Sequence, residues 1–427
     1  MSEEVILVTG VSGYIGSHVA KLLLEEGYKV RGTVRSLSNE AKVEPLKSLV
    51  PDAKFPLELV EADLTKEEGW DKAVVDCKQV VHTATLKGPA VEGLAEATKK
   101  FLTACSAAKT IKRVVFTSCS NAVVGEPVPE AEKTYTEEDW TDPESTTIDA
   151  YTKSKVVAEK AAWDFVKELP DDQKFELAVI NPTFVLGPPL LESHKSATSV
   201  NFMAQIVNRA YPGVPRVQFP ICDVRDVAKA HVKALTAPEA VNNRHIICTD
   251  SVWVKDIAMA ASKEFKPQGY SIPTGQLPYF LCWVAGLFNK GMKNNILPRL
   301  GKQLNASNKR MVEVLGVEPT AIDCTVQDMV YALVDLGIVR KAKKYKQVGS
   351  RAEVPAANGE VEEDKKEGKE EEKAEEAEEK KELEPEDKEK KEGEEIKEEK
   401  SEAPKEESKE KEEPAKEEKK DESEAEK

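Results

Sequence analysis

Through the first ~120 residues, short runs of β-branched and apolar side chains alternate with longer stretches whose apolar positions recur three and four apart. The short runs predict strands at Val5–Thr9, Lys29–Val34, Leu57–Glu61, Gln79–Thr83 and Arg113–Ser118. The stretches between them, Ile15–Glu26 and Ala90–Lys109 among them, each put one apolar face on a helix that can lie across a sheet. Such alternation predicts stacked βαβ units around a parallel sheet. Beyond it come a Pro- and Glu-rich loop at Glu126–Thr147, a helix over Asp149–Leu169 and a strand at Leu177–Asn181 stopped by Pro182.

After Pro188 and Pro189 the regular alternation breaks, and short elements return near Val217–Ile221, Val224–Leu235 and Arg244–Cys248. These are expected to rejoin the first domain, giving residues 1–185 plus 217–250 as one unit. Residues 186–216 plus 251–345 then form a smaller, discontinuous lobe. No repeat of 20–50 residues is visible, which excludes a solenoid. The longest apolar run, Leu277–Phe288, falls short of the ~20 residues that cross a bilayer. We read it as a buried helix in preference to one resting on a membrane.

Charge separates the rest of the chain from this body. Residues 351–427 hold 35 Asp and Glu against 19 Lys and Arg, which accounts for the whole net −16 and leaves 43 of each sign in residues 1–350. A neutral body offers no electrostatic footprint for nucleic acid or for an anionic membrane. The last aromatic residue is Tyr345, and a Lys/Glu segment without aromatics cannot bury enough surface to order itself. Residues 346–427 are therefore expected to be a disordered acidic tail, its partners undefined. Seven scattered cysteines without a C-x-x-C pair argue for reduced thiols and against a metal site. With Met-Ser-Glu-Glu running straight into a strand, no targeting signal is expected and the compartment reads as cytoplasmic.

Thr9-Gly10-Val11-Ser12-Gly13-Tyr14-Ile15-Gly16 follows the first strand and opens the first helix. In that position Gly10 allows a tight turn, Gly13 lets a pyrophosphate approach the backbone, and Gly16 permits close helix–strand packing. The helix N-terminus then receives the phosphates, so Gly10, Ser12, Gly13, Tyr14, Ile15 and Gly16 are expected dinucleotide contacts in a Rossmann-type, doubly wound α/β fold. An NAD site would place an acidic residue at the end of the second strand. Here the strand ends in Val34-Arg35, with Lys42 further on, and a guanidinium there pairs with a 2′-phosphate. NADP(H) is the expected cofactor. Asp63, beside Leu64, either caps the adenine or caps a helix starting at Thr65-Lys66-Glu67-Glu68.

Tyr151 and Lys155, four apart at the start of a helix, share one face, while Lys153 points elsewhere. A phenol titrates near 10, and a neighbouring ammonium is expected to bring it towards the working range for proton transfer. The glycine loop, Asp63-Leu64, Phe116-Thr117-Ser118, Tyr151 with Lys155, Asn181-Pro182-Thr183-Phe184-Val185-Leu186-Gly187-Pro188 and Asp223-Val224-Arg225-Asp226-Val227 occur in a telling order. Together they resemble the extended short-chain dehydrogenase/reductases, specifically the dihydroflavonol reductase, cinnamoyl-CoA reductase and yeast ketone/aldehyde reductase group. The likeness covers about residues 4–340. It implies Tyr151 as proton donor, Lys155 tuning it, a serine on the substrate oxygen, and Arg35 and Lys42 on the 2′-phosphate. It also implies Thr83 and Ala84 along the cofactor's ribose and phosphates, and Pro182 and Thr183 beside the nicotinamide.

One position departs from that group. Relatives read Thr-Ser-Ser at the end of the fifth strand with the second serine catalytic, whereas this chain reads Thr117-Ser118-Cys119-Ser120. A thiol donates hydrogen bonds poorly, so Ser120, or else Ser118, is expected to reach in after a one-residue shift. The expected reaction is hydride transfer between NADP(H) and the carbonyl or alcohol of a small, partly apolar substrate. Phe202, Tyr279, Phe280 and Trp283 either line that substrate's lobe or are core residues. Two rivals stand beside it: a nucleotide-sugar epimerase or 3β-hydroxysteroid dehydrogenase-like enzyme on the same fold, and a non-catalytic NADP-sensing scaffold with an acidic interaction tail.

Overall fold

Strand β1 (Val5–Thr9) is buried along almost its whole length, because its odd and even side chains enter two different cores. Ile6 and Val8 face one way, onto α1 (Tyr14–Glu25); Leu7 faces the other. The chain continues through β2 (Lys29–Val34), α2 (Glu40–Lys47), β3 (Glu58–Glu61), α3 (Trp70–Val74), β4 (Cys77–His82), α4 (Leu94–Ala108), β5 (Arg113–Thr117) and the two-residue β6 (Thr134–Tyr135). Then follow α5 (Ala150–Glu168), β7 (Glu176–Pro182), β8 (Phe184–Leu186), α6 (Thr198–Val207), β9 (Gln218–Asp223), α7 (Val224–Ala234), β10 (Arg244–Ile247) and β11 (Asp250–Trp253). The remaining elements are α8 (Val254–Phe265), α9 (Tyr279–Phe288), β12 (Asn305–Ala306), α10 (Lys309–Glu313) and α11 (Ile322–Asp335). This computed structural model describes residues 4–86, 88–124, 133–288, 293 and 296–347; the expected acidic tail lies outside them, apart from its first two residues.

Seven strands form one parallel sheet in the order β10-β7-β5-β4-β1-β2-β3. Helices α1 and α7 cover one face and α4 and α5 the other, so the central strands read as unbroken apolar runs. The strand order reverses between β1 and β4, and an open α/β sheet binds ligands in the crevice outside the carboxyl ends at such a point. Every expected βαβ unit of the first ~120 residues is present. Their ends move slightly: β4 starts at Cys77, and a 3-10 turn over Gly88–Gly93 precedes α4. Pro182 does not stop β7 but belongs to it, opposite Ile247, since its fixed φ suits extended backbone.

Residues 217–250 do not rejoin the main sheet as a block. β10 joins it and α7 packs over its face, but β9 pairs with β8 and antiparallel with β11 in a separate three-stranded sheet. Arg225, at the start of α7, holds Asp223 and Asp328 at 2.7 Å each and so ties β9 to α11. Around the small sheet, α6, α8 and α11 enclose a second core that includes Met203, Ile257, Phe265 and Met329. The apolar run at α9 does form a helix, but not a buried one. Tyr279, Phe280, Leu281, Trp283, Val284 and Leu287 are 41–65% exposed, and it is the small Cys282 and Gly286 that turn inward.

Candidate active site

The glycine loop closes over the carboxyl end of β1. Gly10 takes φ +67, and a Cβ there would lie 2.9 Å from the Ala84 backbone. A Cβ on Gly16 would stand 2.6 Å from both the Gly10 carbonyl and Thr83 Oγ1, so helix and strand pack too closely for any side chain. Gly13 donates its N–H to the Gly10 carbonyl at 2.8 Å and is itself exposed. The first turn of α1 holds no acidic residue, which leaves its positive end open to an anion. Thr83 and Ala84 brace the loop: Thr83 Oγ1 donates to the Thr9 carbonyl at 2.6 Å, and the Ala84 N–H donates to Thr9 Oγ1 at 3.1 Å.

At the end of β2, Arg35 is exposed and Lys42 half-buried, and among the described residues neither has a carboxylate within ion-pair distance. A glycine cradle without obstructing side chains, followed by an unopposed guanidinium, fits a dinucleotide bearing a 2′-phosphate. Three expected contacts are placed differently. The Tyr14 hydroxyl donates to the Gly187 carbonyl at 2.6 Å, so its ring joins α1 to the smaller lobe and only its backbone faces the loop. Leu64 is buried in the core beside Trp70. Thr183 Oγ1 donates to the Ile247 carbonyl at 2.8 Å, which turns it inward towards β10. Asp63 Oδ1 accepts from both the N–H and the hydroxyl of Thr65 at 2.9 Å, an Asx turn and not the expected helix cap, since the next helix starts only at Trp70.

Asp149 starts α5 by accepting the Thr152 N–H at 2.7 Å, which fixes the first turn that carries Tyr151. Tyr151 is 40% exposed and Lys155 only 5%. Lys153 points away and pairs with Glu144. The Lys155 charge is felt by Cys119, just past β5, and by His82, at the end of β4. His82 is stacked on Phe101 at 4.0 Å and bonded to Thr9 Oγ1 at 2.9 Å; burial, then Lys155, lowers its pKa to about 3 and keeps it neutral.

The side chain that meets the Tyr151 hydroxyl is the thiol of Cys119. Cys119 continues β5 in extended backbone, φ −160 and ψ 163, so there is no one-residue shift to bring a serine in. Ser120 is instead buried at the start of a 3-10 turn, its carbonyl accepting the N–H groups of Val123 and Val124. Ser118, 3% exposed, has no hydrogen-bond partner for Oγ among the described residues. The expected lowering of the phenol is also absent. Burial, followed by Cys119 and Asp149, raises the Tyr151 pKa, and burial likewise raises that of Cys119 against the opposing charge of Lys155.

Behind these residues lies a network that the sequence reading missed. Glu159, fully buried, accepts from Asn181 Nδ2 at 2.9 Å and from Arg244 Nε at 2.6 Å, while Asn181 Nδ2 also reaches the Cys119 carbonyl at 3.3 Å. It fixes the ends of β5 and β7 against α5 and β10. The signal was present in the spacing, since Glu159 follows Lys155 by four residues as Lys155 follows Tyr151.

Comparison with known proteins agrees with this geometry. Residues 6–248 match the NAD dependent epimerase/dehydratase family. The chain is 36% identical over 284 residues to cinnamoyl-CoA reductase 1 of Petunia hybrida, covering 64% of this chain and 80% of that protein. It is 33% identical over 303 residues to the NADPH-dependent methylglyoxal reductase GRE2 of Saccharomyces cerevisiae, covering 64% and 85%. The crystal structure of Gre2 from Candida albicans in complex with NADPH superposes with a TM-score of 0.64 at 27% identity, covering 78% of this chain and 99% of that one. With a reversed-order parallel sheet, a glycine cradle at its switch point and a tyrosine and lysine over the next strand ends, the chain belongs to the NAD dependent epimerase/dehydratase family, among its extended short-chain dehydrogenase/reductases.

Proposed function

We propose that this chain is an NADP(H)-dependent reductase of aldehydes or ketones with an apolar body, and that Tyr151 is its proton donor. The observation that carries the reading is the Tyr151 hydroxyl set against Cys119, with the Lys155 charge reaching both Cys119 and His82, which is bonded to Thr9 at the foot of the glycine loop. Gly10, Gly13 and the first turn of α1 would hold the diphosphate, and Arg35 with Lys42 the 2′-phosphate. NADPH, when bound, supplies the hydride. Tyr151 delivers a proton to the carbonyl oxygen, with Lys155 one turn further along the same face of α5. Cys119 is the neighbouring donor for that oxygen, and a weak one. Phe184, Phe202 and Phe219, with ring centroids 5.0–6.2 Å apart, offer an apolar wall on the smaller lobe. The names of the relatives support a carbonyl substrate. Seven unpaired cysteines suit a reducing compartment such as the cytosol.

The test is NADPH oxidation over a panel of aldehydes and ketones, with NADH in parallel. Tyr151→Phe should lower kcat by roughly 10²–10⁴-fold with the KM for NADPH little changed. Full activity in this variant would remove Tyr151 from the chemistry. Purified protein that retains tightly bound NAD would favour the epimerase alternative.

A further inference from the structure

Helix α9 presents its large apolar side chains to solvent. At 3.6 residues per turn, Tyr279, Phe280, Trp283, Val284 and Leu287 fall in one sector of the helix, and all five are 41–65% exposed. The adjoining sector carries Cys282 and Gly286, both buried, and a Cβ on Gly286 would lie 2.7 Å from Leu297 Cδ1. The protein therefore holds this helix by its small residues and leaves the large ones uncovered. Clusters of this kind on a soluble protein mark a surface that meets something else.

Charge indicates what that is. From Phe265 to Val312 the chain has seven Lys and Arg and no Asp or Glu, although the whole protein carries a net −16. Lys293, exposed, returns beside the helix, its Cα 3.6 Å from where a Cβ on Gly286 would be. Lys309 and Arg310 of this stretch pair with Glu313 and Glu138, but an aromatic and aliphatic face with Tyr and Trp, with Lys293 beside it and no acidic residue in its own stretch of chain, complements the headgroup layer of an anionic bilayer. A helix of ten residues is too short to cross a bilayer, so it would lie in the interface plane. A two-fold dimer through the same face would bring two cationic segments together. The acidic residues 351–427 match the charge but have no Phe, Tyr or Trp to cover the apolar face.

We propose that α9 is a docking face for an anionic phospholipid surface, with Phe280, Trp283 and Leu287 entering the interface and Lys293 engaging the headgroups. The test is co-sedimentation of the full chain with vesicles of phosphatidylcholine alone or containing roughly a third phosphatidylserine, at low and high salt. Binding should be about ten-fold stronger to the anionic vesicles and should fall with salt. It should be lost in a Phe280→Ser, Trp283→Ser, Leu287→Ser variant and weakened in Lys293→Glu. A thermal melt of each variant checks that it is folded; if the triple variant does not fold, Leu287→Ser alone carries the test. No binding by the wild-type chain, or undiminished binding by the folded variants, would overturn the proposal. A concentration-dependent dimer abolished by the same substitutions, without vesicle binding, would overturn it in favour of a second copy.

Discussion

Cys119 puts a thiol where the resemblance leads one to expect a hydroxyl, and the physical consequence is a weaker hydrogen bond to developing charge on the substrate oxygen. Cys119→Ser should therefore raise kcat, by roughly ten-fold, with the NADPH KM unchanged, as measured by steady-state NADPH oxidation. A fall in kcat would show that the thiol is already the better fit. An ungapped count along β5 points to this residue; the preference for Ser120 fails because extended backbone at Cys119 leaves no room for a shift. Arg35 is proposed as the 2′-phosphate contact from its place at the strand end, where it is exposed. Arg35→Ala should raise the KM for NADPH by roughly 10–100-fold while that for NADH stays put, and equal effects on both would deny the guanidinium its 2′-phosphate.

At the scale of elements, α5 carries three turns of chemistry on one face: Tyr151 at the crevice, Lys155 beneath it, and Glu159 fully buried against Arg244 and Asn181. A spacing of four was readable in sequence, but its third member was not, because the partners of Glu159 come from β7 and β10, some 22 and 85 residues away. Removing one member leaves a buried charge alone. Glu159→Ala should cost about 3–5 kcal/mol in urea unfolding, and a loss under ~1 kcal/mol would mean that Arg244 finds another partner or water. Helix α9 shows the converse. Its run of apolar residues predicted a helix correctly and its burial wrongly, since hydropathy gives the content of a face and not what lies against it.

Across the whole molecule, histidines buried in the neutral form link folding to pH. His18, His231 and His245 are lowered to about 4 and His82 to about 3, in each case chiefly by burial, against about 6.5 in an unfolded chain. Between those values the unfolded chain binds the extra protons, so stability is complete near pH 7 and falls as pH drops through 6.5 towards 4, by up to ~1.4 kcal/mol per pH unit for each histidine. Urea midpoints taken from pH 7.5 down to 4.5 should fall steeply; a flat profile would mean that these imidazoles reach water. By itself, the sequence determined the alternation of strand and helix, the tight glycine loop between β1 and α1, and the spacing of Tyr151 and Lys155, because each is written in local periodicity or in a spacing within one element. Only the tertiary structure decided that Cys119 meets Tyr151, that Thr183 and the Tyr14 ring turn inward, that β9 joins a separate sheet, and that α9 faces out. Each of these depends on which distant element packs against a segment, and the segment's own pattern of polar and apolar positions carries no record of that partner.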